Sequence, residues 1–385
     1  MLSTADGPGP RDASNYHQQG VPAPFSILDD EGRVRPEVDP AQVPTVSDAD
    51  CVALLRGILQ VRVVDERMMK LQRQGRLGFY MQSFGEEATH YGVAYGLRRS
   101  DWVFPSYREP GVAFWRGYSI TDFTNQLYGN SADPIKGRQM PVHHSFRDGN
   151  YVSISSPVGT QIPQAVGVGM AARISGKDDV AAVYFGEGTA STGDFHVGLN
   201  FAGVFKAPVL FICRNNGWAI STPRHRQTAA ATIAQKAVAY GMPGVRVDGN
   251  DLLAMISVVQ TAAARARGGQ GPTLIDAVTY RRAAHSSSDD PSVYRDPNEP
   301  KEWESKDPLA RWQKYMATRG IYDAAWEERT REELSQQVID ALKRAEELGP
   351  PPLASLIDDV YAEPTAALRE QLAEIAAMPR QKHGH

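Results

Sequence analysis

The chain has 385 residues, 42% of them hydrophobic, enough for one large core or two domains. Its 41 basic and 45 acidic side chains leave a formal net charge of −4, so nothing in the balance points to nucleic acid or an anionic membrane as a main partner. Two cysteines, Cys51 and Cys213, exclude a disulfide framework or a multi-cysteine zinc site and read as small buried apolar residues in a reducing compartment.

The opening stretch, MLSTADGPGPRDASNY, has neither the apolar core of a secretion signal nor the pattern of an Arg-rich amphipathic presequence. No apolar run is long enough to span a bilayer, and a cytoplasmic chain is expected. Residues 1 to about 45 are rich in Pro, Gly and Asp and predict an extended arm, loose unless a partner surface orders it. The rest, 46–385, reads as one domain. Ser47-Asp48 is an N-cap for a helix whose apolar face carries Leu54, Leu55, Ile58, Leu59 and Val61 to Val63. Glu86-Glu87 open a second helical stretch, EEATHYGVAYGL, and favour its N-terminus rather than chemistry. Adjacent residues on a strand face opposite ways, so the pair His143-His144 reads as structural or channel-lining rather than metal-binding.

Between about 95 and 300, short apolar strands alternate with helical segments. The strands are DVAAVYF, PVLFICR, GVRVDG and TLIDAVTY; TGDFHVGLNFAGVFK and TIAQKAVAYG read as helices between them. This alternation predicts an α/β fold with a doubly wound, mostly parallel sheet, whose ligands bind at the carboxyl ends of the strands. Asp307-Pro308 caps a helical C-terminal part, where Leu334, Val338 and Leu342 form a stripe and GPPP at 349–352 stops the helix.

Two strand ends carry oxygen ligands. Glu187 stands between Gly186 and Gly188, and Asn216 lies in Asn215-Asn216-Gly217, about one β–α–β crossover further on. Singly, each is an ordinary tight turn. Together they supply a carboxylate, an amide oxygen and a following backbone carbonyl, half the shell of a hard cation such as Mg²⁺, which a diphosphate and water complete. The segment GVGMAA at 167–172 lacks a preceding apolar strand and the third glycine of a dinucleotide fingerprint.

From Gly186-Glu187-Gly188 to Asn215-Asn216 the sequence resembles the thiamin diphosphate motif. FPSYREPG, GRQMPVHHS, ISSPVGTQIPQAVG, GLNFAGVFKAPVLFICRNNGWAISTP and RAAHSSSDDPSVYR narrow the resemblance. They are similar to the alpha subunit of the E1 component of 2-oxo acid dehydrogenase complexes. Glu187 in place of Asp, with Arg214, resembles the branched-chain (2-oxoisovalerate) type; pyruvate and acetoin dehydrogenase E1 alpha subunits are the alternatives.

The resemblance implies that Glu187, Asn216 and the carbonyl of Trp218 bind Mg²⁺. It implies that Tyr107, Arg108, Arg214 and His285 contact the diphosphate of thiamin diphosphate. Ser156 and Val158 would meet the aminopyrimidine side, and Gly186, Gly188, Thr189 and Ile220 would line the cofactor. Ser155, Thr160 and Gln161 match a monovalent-cation (K⁺) site. His285 would be the catalytic residue, assisting acyl transfer to a lipoyl group, and Ser286 takes the place of a serine that is phosphorylated in some members. Phe79, Tyr80, Met81 and Gln82 are candidates for the substrate pocket. The implied activity is oxidative decarboxylation of branched-chain 2-oxo acids, a step of branched-chain amino acid catabolism, with reductive acylation of a lipoyl-bearing E2. The carboxylate that engages the aminopyrimidine would lie on a beta subunit, making this chain half a site in an alpha-2 beta-2 heterotetramer.

Overall fold

The computed structural model describes residues 21–379. Five parallel strands form its sheet: β1 (Trp102–Phe104), β2 (Ala181–Gly186), β3 (Val209–Asn215), β6 (Gly244–Asp248) and β7 (Thr273–Val278), in the order β1-β2-β3-β7-β6. The two-residue strands β4 (Trp218–Ala219) and β5 (Thr222–Pro223) make a separate antiparallel hairpin. All four strands read from the sequence are present; β1 is too short to carry a pattern. Side chains alternate between two cores. Ala182, Tyr184, Leu210, Ile212 and Ile275 face one, and Ala181, Val183, Phe185, Phe211 and Leu274 face the other. Burial on both faces is why these strands read as continuous apolar runs.

The helices that matter for the site are α1 (Asp48–Arg73), α2 (Glu87–Gly96), α3 (Gln161–Ile174), α4 (Gly193–Phe205), α5 (Leu252–Arg267) and α6 (Pro308–Thr318). The hydroxyl of Ser47 accepts from Asp50 N at the start of α1, and Asp307 accepts from Leu309 and Ala310 N at the start of α6. Before α4 comes a 3₁₀ turn, Glu187–Ser191, so α4 starts at Gly193 with Thr192 as its cap rather than near Ser191. TIAQKAVAYG is also tighter than an α-helix: Ala234–Tyr240 is 3₁₀ and stops at Gly241 in the left-handed region (φ 64°).

The first 20 residues of the expected arm lie outside the described residues. From Phe25 onward the chain is not loose. Phe25 pairs with Val247 in parallel, extending the sheet beyond β6, and Ile27 and Leu28 are fully buried. The buried carboxylate of Asp251 accepts from the backbone N–H groups of Ile27 and Leu28, both at 2.6 Å. The reason is local to the fold: a single acid at the start of α5 satisfies the backbone donors of a segment that would otherwise have none.

Candidate functional site

A cavity of about 430 Å³ opens at the carboxyl ends of β2 and β3, where a parallel sheet of this kind binds ligands. Tyr107, Arg108, Ser155, Ser156, Val158, Gln161, Gly186, Glu187, Gly188, Thr189, Arg214, Asn216, Trp218, Ile220 and His285 all line it. Thr160 stands behind the wall and donates to Ser155 Oγ at 2.8 Å. Phe79 and Met81 line the cavity, whereas Tyr80 turns inward to donate to Asp65 at 2.7 Å. Gln82 contributes its carbonyl, which accepts from Arg108 Nη1 at 2.6 Å.

β2 and β3 are neighbours, with Gly186 opposite Arg214, so Glu187 and Asn216 emerge side by side. Glu187 is buried, and burial raises its pKa above the usual carboxylate range. Its partners are weak, neutral donors: Asn216 N at 3.3 Å and Gln227 Nε2 at 3.2 Å. A buried carboxylate held by long bonds from neutral donors is chemically suited to a cation. Asn216 Oδ1 accepts only the long bond from Trp218 N, at 3.3 Å, so it too has a lone pair free. The Trp218 carbonyl accepts an equally long bond from Arg281 Nη1. Among the described residues no group of three or more His, Cys, Asp or Glu could hold a metal. The donors fit a hard cation completed by ligand oxygens, not a cation held by protein alone.

The charges around this pair are buried and balanced. Arg214 Nη1 donates to Glu86 Oε2 at 2.7 Å, and its Nε lies 2.9 Å from Glu109 Oε1. Burial alone would lower the pKa of Arg214; the two carboxylates more than reverse that and keep it charged. Arg108, fully enclosed, has its pKa lowered by burial. It reaches His285 Nδ1 at 3.0 Å and also donates to the His285 carbonyl. Arg281 donates to Ile220 O at 2.8 Å and Tyr294 Oη at 2.8 Å.

Burial, then the guanidinium groups of Arg108 and Arg281, push His285 down to about 3, so its imidazole is neutral near pH 7. Nδ1 faces the donor Arg108, which places the ring proton on Nε2. The backbone N–H of His285 is tied to Asp289 Oδ2 at 2.7 Å, and Tyr294 donates to the same oxygen at 2.6 Å. Ser287 N donates to Tyr80 O at 2.9 Å, fastening this loop to the segment carrying Phe79 and Met81. Ser286 is buried.

Ile220 has φ 54°, a left-handed conformation that a β-branched residue adopts only under strain, about 1–3 kcal/mol. Its carbonyl is held by Arg281, as above. Gln161 donates to Tyr184 O at 2.8 Å while its buried Oε1 has no partner.

Glu86, Glu109 and Arg281 are site residues that the sequence did not single out as such. Glu86 corrects the reading of Glu86-Glu87 as simple helix-starters: it is buried against Arg214 and Asn216, while Glu87 pairs with Arg62. No local signal marks that difference. His143 reaches Ser156 Oγ at 2.9 Å and lines the cavity; His144 is buried between the rings of Tyr118 and Tyr151.

Residues 56–354 match the family described as Dehydrogenase E1 component. The 2-oxoisovalerate dehydrogenase subunit alpha 2 of Arabidopsis thaliana is 42% identical over 93% of this chain and 75% of its own length. The alpha subunit of Homo sapiens is 40% identical over 93% and 80%, and that of Dictyostelium discoideum 44% identical over 91% and 79%. All three are named as mitochondrial proteins, which overturns the cytoplasmic expectation drawn from the opening residues. Among the described residues no helix is long and apolar enough to cross a membrane. Family match, parallel-sheet fold and cavity agree: the chain belongs to the dehydrogenase E1 component family.

Proposed function

We propose that the chain is the alpha subunit of a branched-chain 2-oxo acid dehydrogenase E1, working with thiamin diphosphate, Mg²⁺ and a beta subunit on substrates of the 2-oxoisovalerate kind. The observation that carries this is Glu187: a buried carboxylate without a cationic partner, beside the amide oxygen of Asn216 with a lone pair to spare, in the same cavity as Arg108, Arg281 and His285. The substrate class follows the names of the relatives at 40–44% identity.

When bound, thiamin diphosphate supplies the nucleophilic carbon and the electron sink for loss of carbon dioxide. The chain's own residues bind and orient. Glu187, Asn216 Oδ1 and the Trp218 carbonyl hold Mg²⁺. Arg108 and Tyr107 face the diphosphate, and Arg281, absent from the sequence-based set, joins them. Arg214, its charge shared between Glu86 and Glu109, braces that wall and would meet the diphosphate from it. His285 would offer Nε2–H to a phosphate oxygen and could hold or move a proton during acyl transfer to a lipoyl group. Ser156 and Val158 support the aminopyrimidine side, and Gly186, Gly188, Thr189 and Ile220 shape the cofactor cradle. Ser155 Oγ, Thr160 Oγ1 and the unpartnered Gln161 Oε1 suit K⁺. Phe79 and Met81 give the apolar wall for a branched substrate, where one methyl is worth about 1–3 kcal/mol.

Val158 and Ile220 stand 52% and 55% exposed in the cavity wall. A beta subunit closing the alpha-2 beta-2 heterotetramer would cover them and bring the missing carboxylate; a lipoyl-bearing E2 would then take the acyl group. The test is decarboxylation measured with the chain alone and co-expressed with its beta partner, on pyruvate and on 2-oxoisovalerate. The expected result is no turnover alone and a branched-chain preference together. Turnover by the isolated chain, or a preference for pyruvate, overturns the proposal.

A further inference from the structure

Glu86 does not line the cavity. It stands behind Arg214 and Asn216, fully buried, at the start of α2. Its backbone is pinned from both sides: Glu86 N donates to Ser83 O at 3.0 Å, and the Thr89 hydroxyl donates to Glu86 O at 2.7 Å. Its Oε2 accepts from Arg214 Nη1 at 2.7 Å and from Asn216 Nδ2 at 3.1 Å, while Oε1 lies 3.2 Å from the same Nδ2.

The two ends of an asparagine amide have nearly the same shape and opposite chemistry. One end only donates and the other only accepts, so the flip that is adopted depends on what faces it. An ionised carboxylate only accepts. Facing Asn216, it selects the flip with Nδ2 toward itself and Oδ1 away. In that flip Oδ1 carries a single long bond, from Trp218 N at 3.3 Å, and has a lone pair to give. Without the carboxylate, Arg214, which donates to the same Oε2 and is itself only a donor, is left facing that side. Arg214 would draw Oδ1 toward itself and turn the Nδ2 donors toward the cation.

We infer that Glu86 is a positioning residue for the metal: it fixes the amide of Asn216 in the flip that presents oxygen to a divalent cation. The inference rests on the cofactor reading above. Residues that orient a metal ligand typically change metal affinity about 10–100-fold when replaced.

The experiment is calorimetric titration of Mg²⁺ into the complex of full chain and beta subunit, with thiamin diphosphate saturating. Circular dichroism and the thermal midpoint are followed alongside. E86Q keeps the shape of Glu86 but lets an amide donor face Asn216, so the Mg²⁺ Kd should rise about tenfold or more. E86D keeps the charge opposite Arg214 but withdraws the acceptor by one methylene. It should weaken Mg²⁺ binding with the fold intact, and it carries the test if E86Q fails to assemble.

The decisive comparison uses N216D, whose carboxylate has no flip to choose and is repelled by Glu86. In that background E86Q should tighten Mg²⁺ binding instead of weakening it. Unchanged Mg²⁺ affinity in E86Q or E86D, or equal weakening in both backgrounds, would reduce Glu86 to a structural brace and overturn the inference. A wild-type complex that takes up no Mg²⁺ with thiamin diphosphate overturns the cofactor reading itself, a result distinct from the other two.

Discussion

Glu187 is costly where it stands. Its carboxylate is out of water, its pKa is raised by burial, and two neutral donors at 3.2–3.3 Å return little of the lost hydration. Such an arrangement fits a ligand-binding role better than a role in the fold. Glu187→Gln keeps the shape and removes the charge. It should therefore leave the free chain as stable as before or more stable by about 1 kcal/mol, while abolishing Mg²⁺-dependent retention of thiamin diphosphate. Glu187→Asp should weaken retention without abolishing it, because the shorter side chain keeps the charge but loses reach. Thermal midpoints without ligand and calorimetry with Mg²⁺ and thiamin diphosphate check both halves. A Gln variant that is clearly less stable and still binds would make Glu187 a turn residue.

Asp251 joins α5 to the segment 26–28. It caps α5 through Ala254 N at 3.0 Å, accepts from Ile27 and Leu28 N, and takes the hydroxyl of Ser26 at 3.0 Å. Asp251→Ala leaves a helix uncapped and two buried backbone donors unsatisfied, so the chain should lose about 2–3 kcal/mol. Proteolysis should then begin within residues 25–45, with the sheet still intact; cleavage that begins elsewhere would show that this segment has other anchors. Asp251 lies 224 positions from Ile27, and that distance defines what the sequence conceals. The strands at 181–186, 209–215 and 273–278 are legible because each is a largely apolar run with Gly, Pro or Asp on at least one side. Glu187 and Asn216 are legible because one crossover separates them. Glu86 meets Asn216 across 130 positions, and Arg108 meets His285 across 177, so their partnership is a property of the closed fold. Only the family resemblance could place Arg108 and His285 in advance. Nothing local distinguished Glu86 from Glu87, or marked Glu109 as the second carboxylate on Arg214.

At the scale of the molecule, Val158 and Ile220 leave part of the cavity wall exposed, and a second exposed apolar surface lies on a neighbouring helix pair. α3 begins at Gln161 in the cavity lining and packs along α4. The outer face of this pair carries Ile174 at 83% exposure and Val204 at 68%, with Val197, Phe201 and Phe205 also exposed. Positions 197, 201, 204 and 205 recur at helical spacing on one side of α4, opposite the buried Phe195, Leu199 and Ala202. An exposed apolar face on a helix pair that starts beside the site is a surface the proposed beta subunit would bury. Replacing Phe201 and Val204 together by Glu puts two charges where that subunit would seat. The helix core on the opposite side is untouched, so the thermal midpoint of the isolated chain should stay within a few degrees of wild type. Gel filtration of the co-expressed pair should then show separate subunits instead of one assembly, because two unpaired charges buried in an interface each cost several kcal/mol. Decarboxylation should disappear with the assembly. Normal assembly of the double variant would move the partner's contact off α4 and leave the apolar face to some other surface.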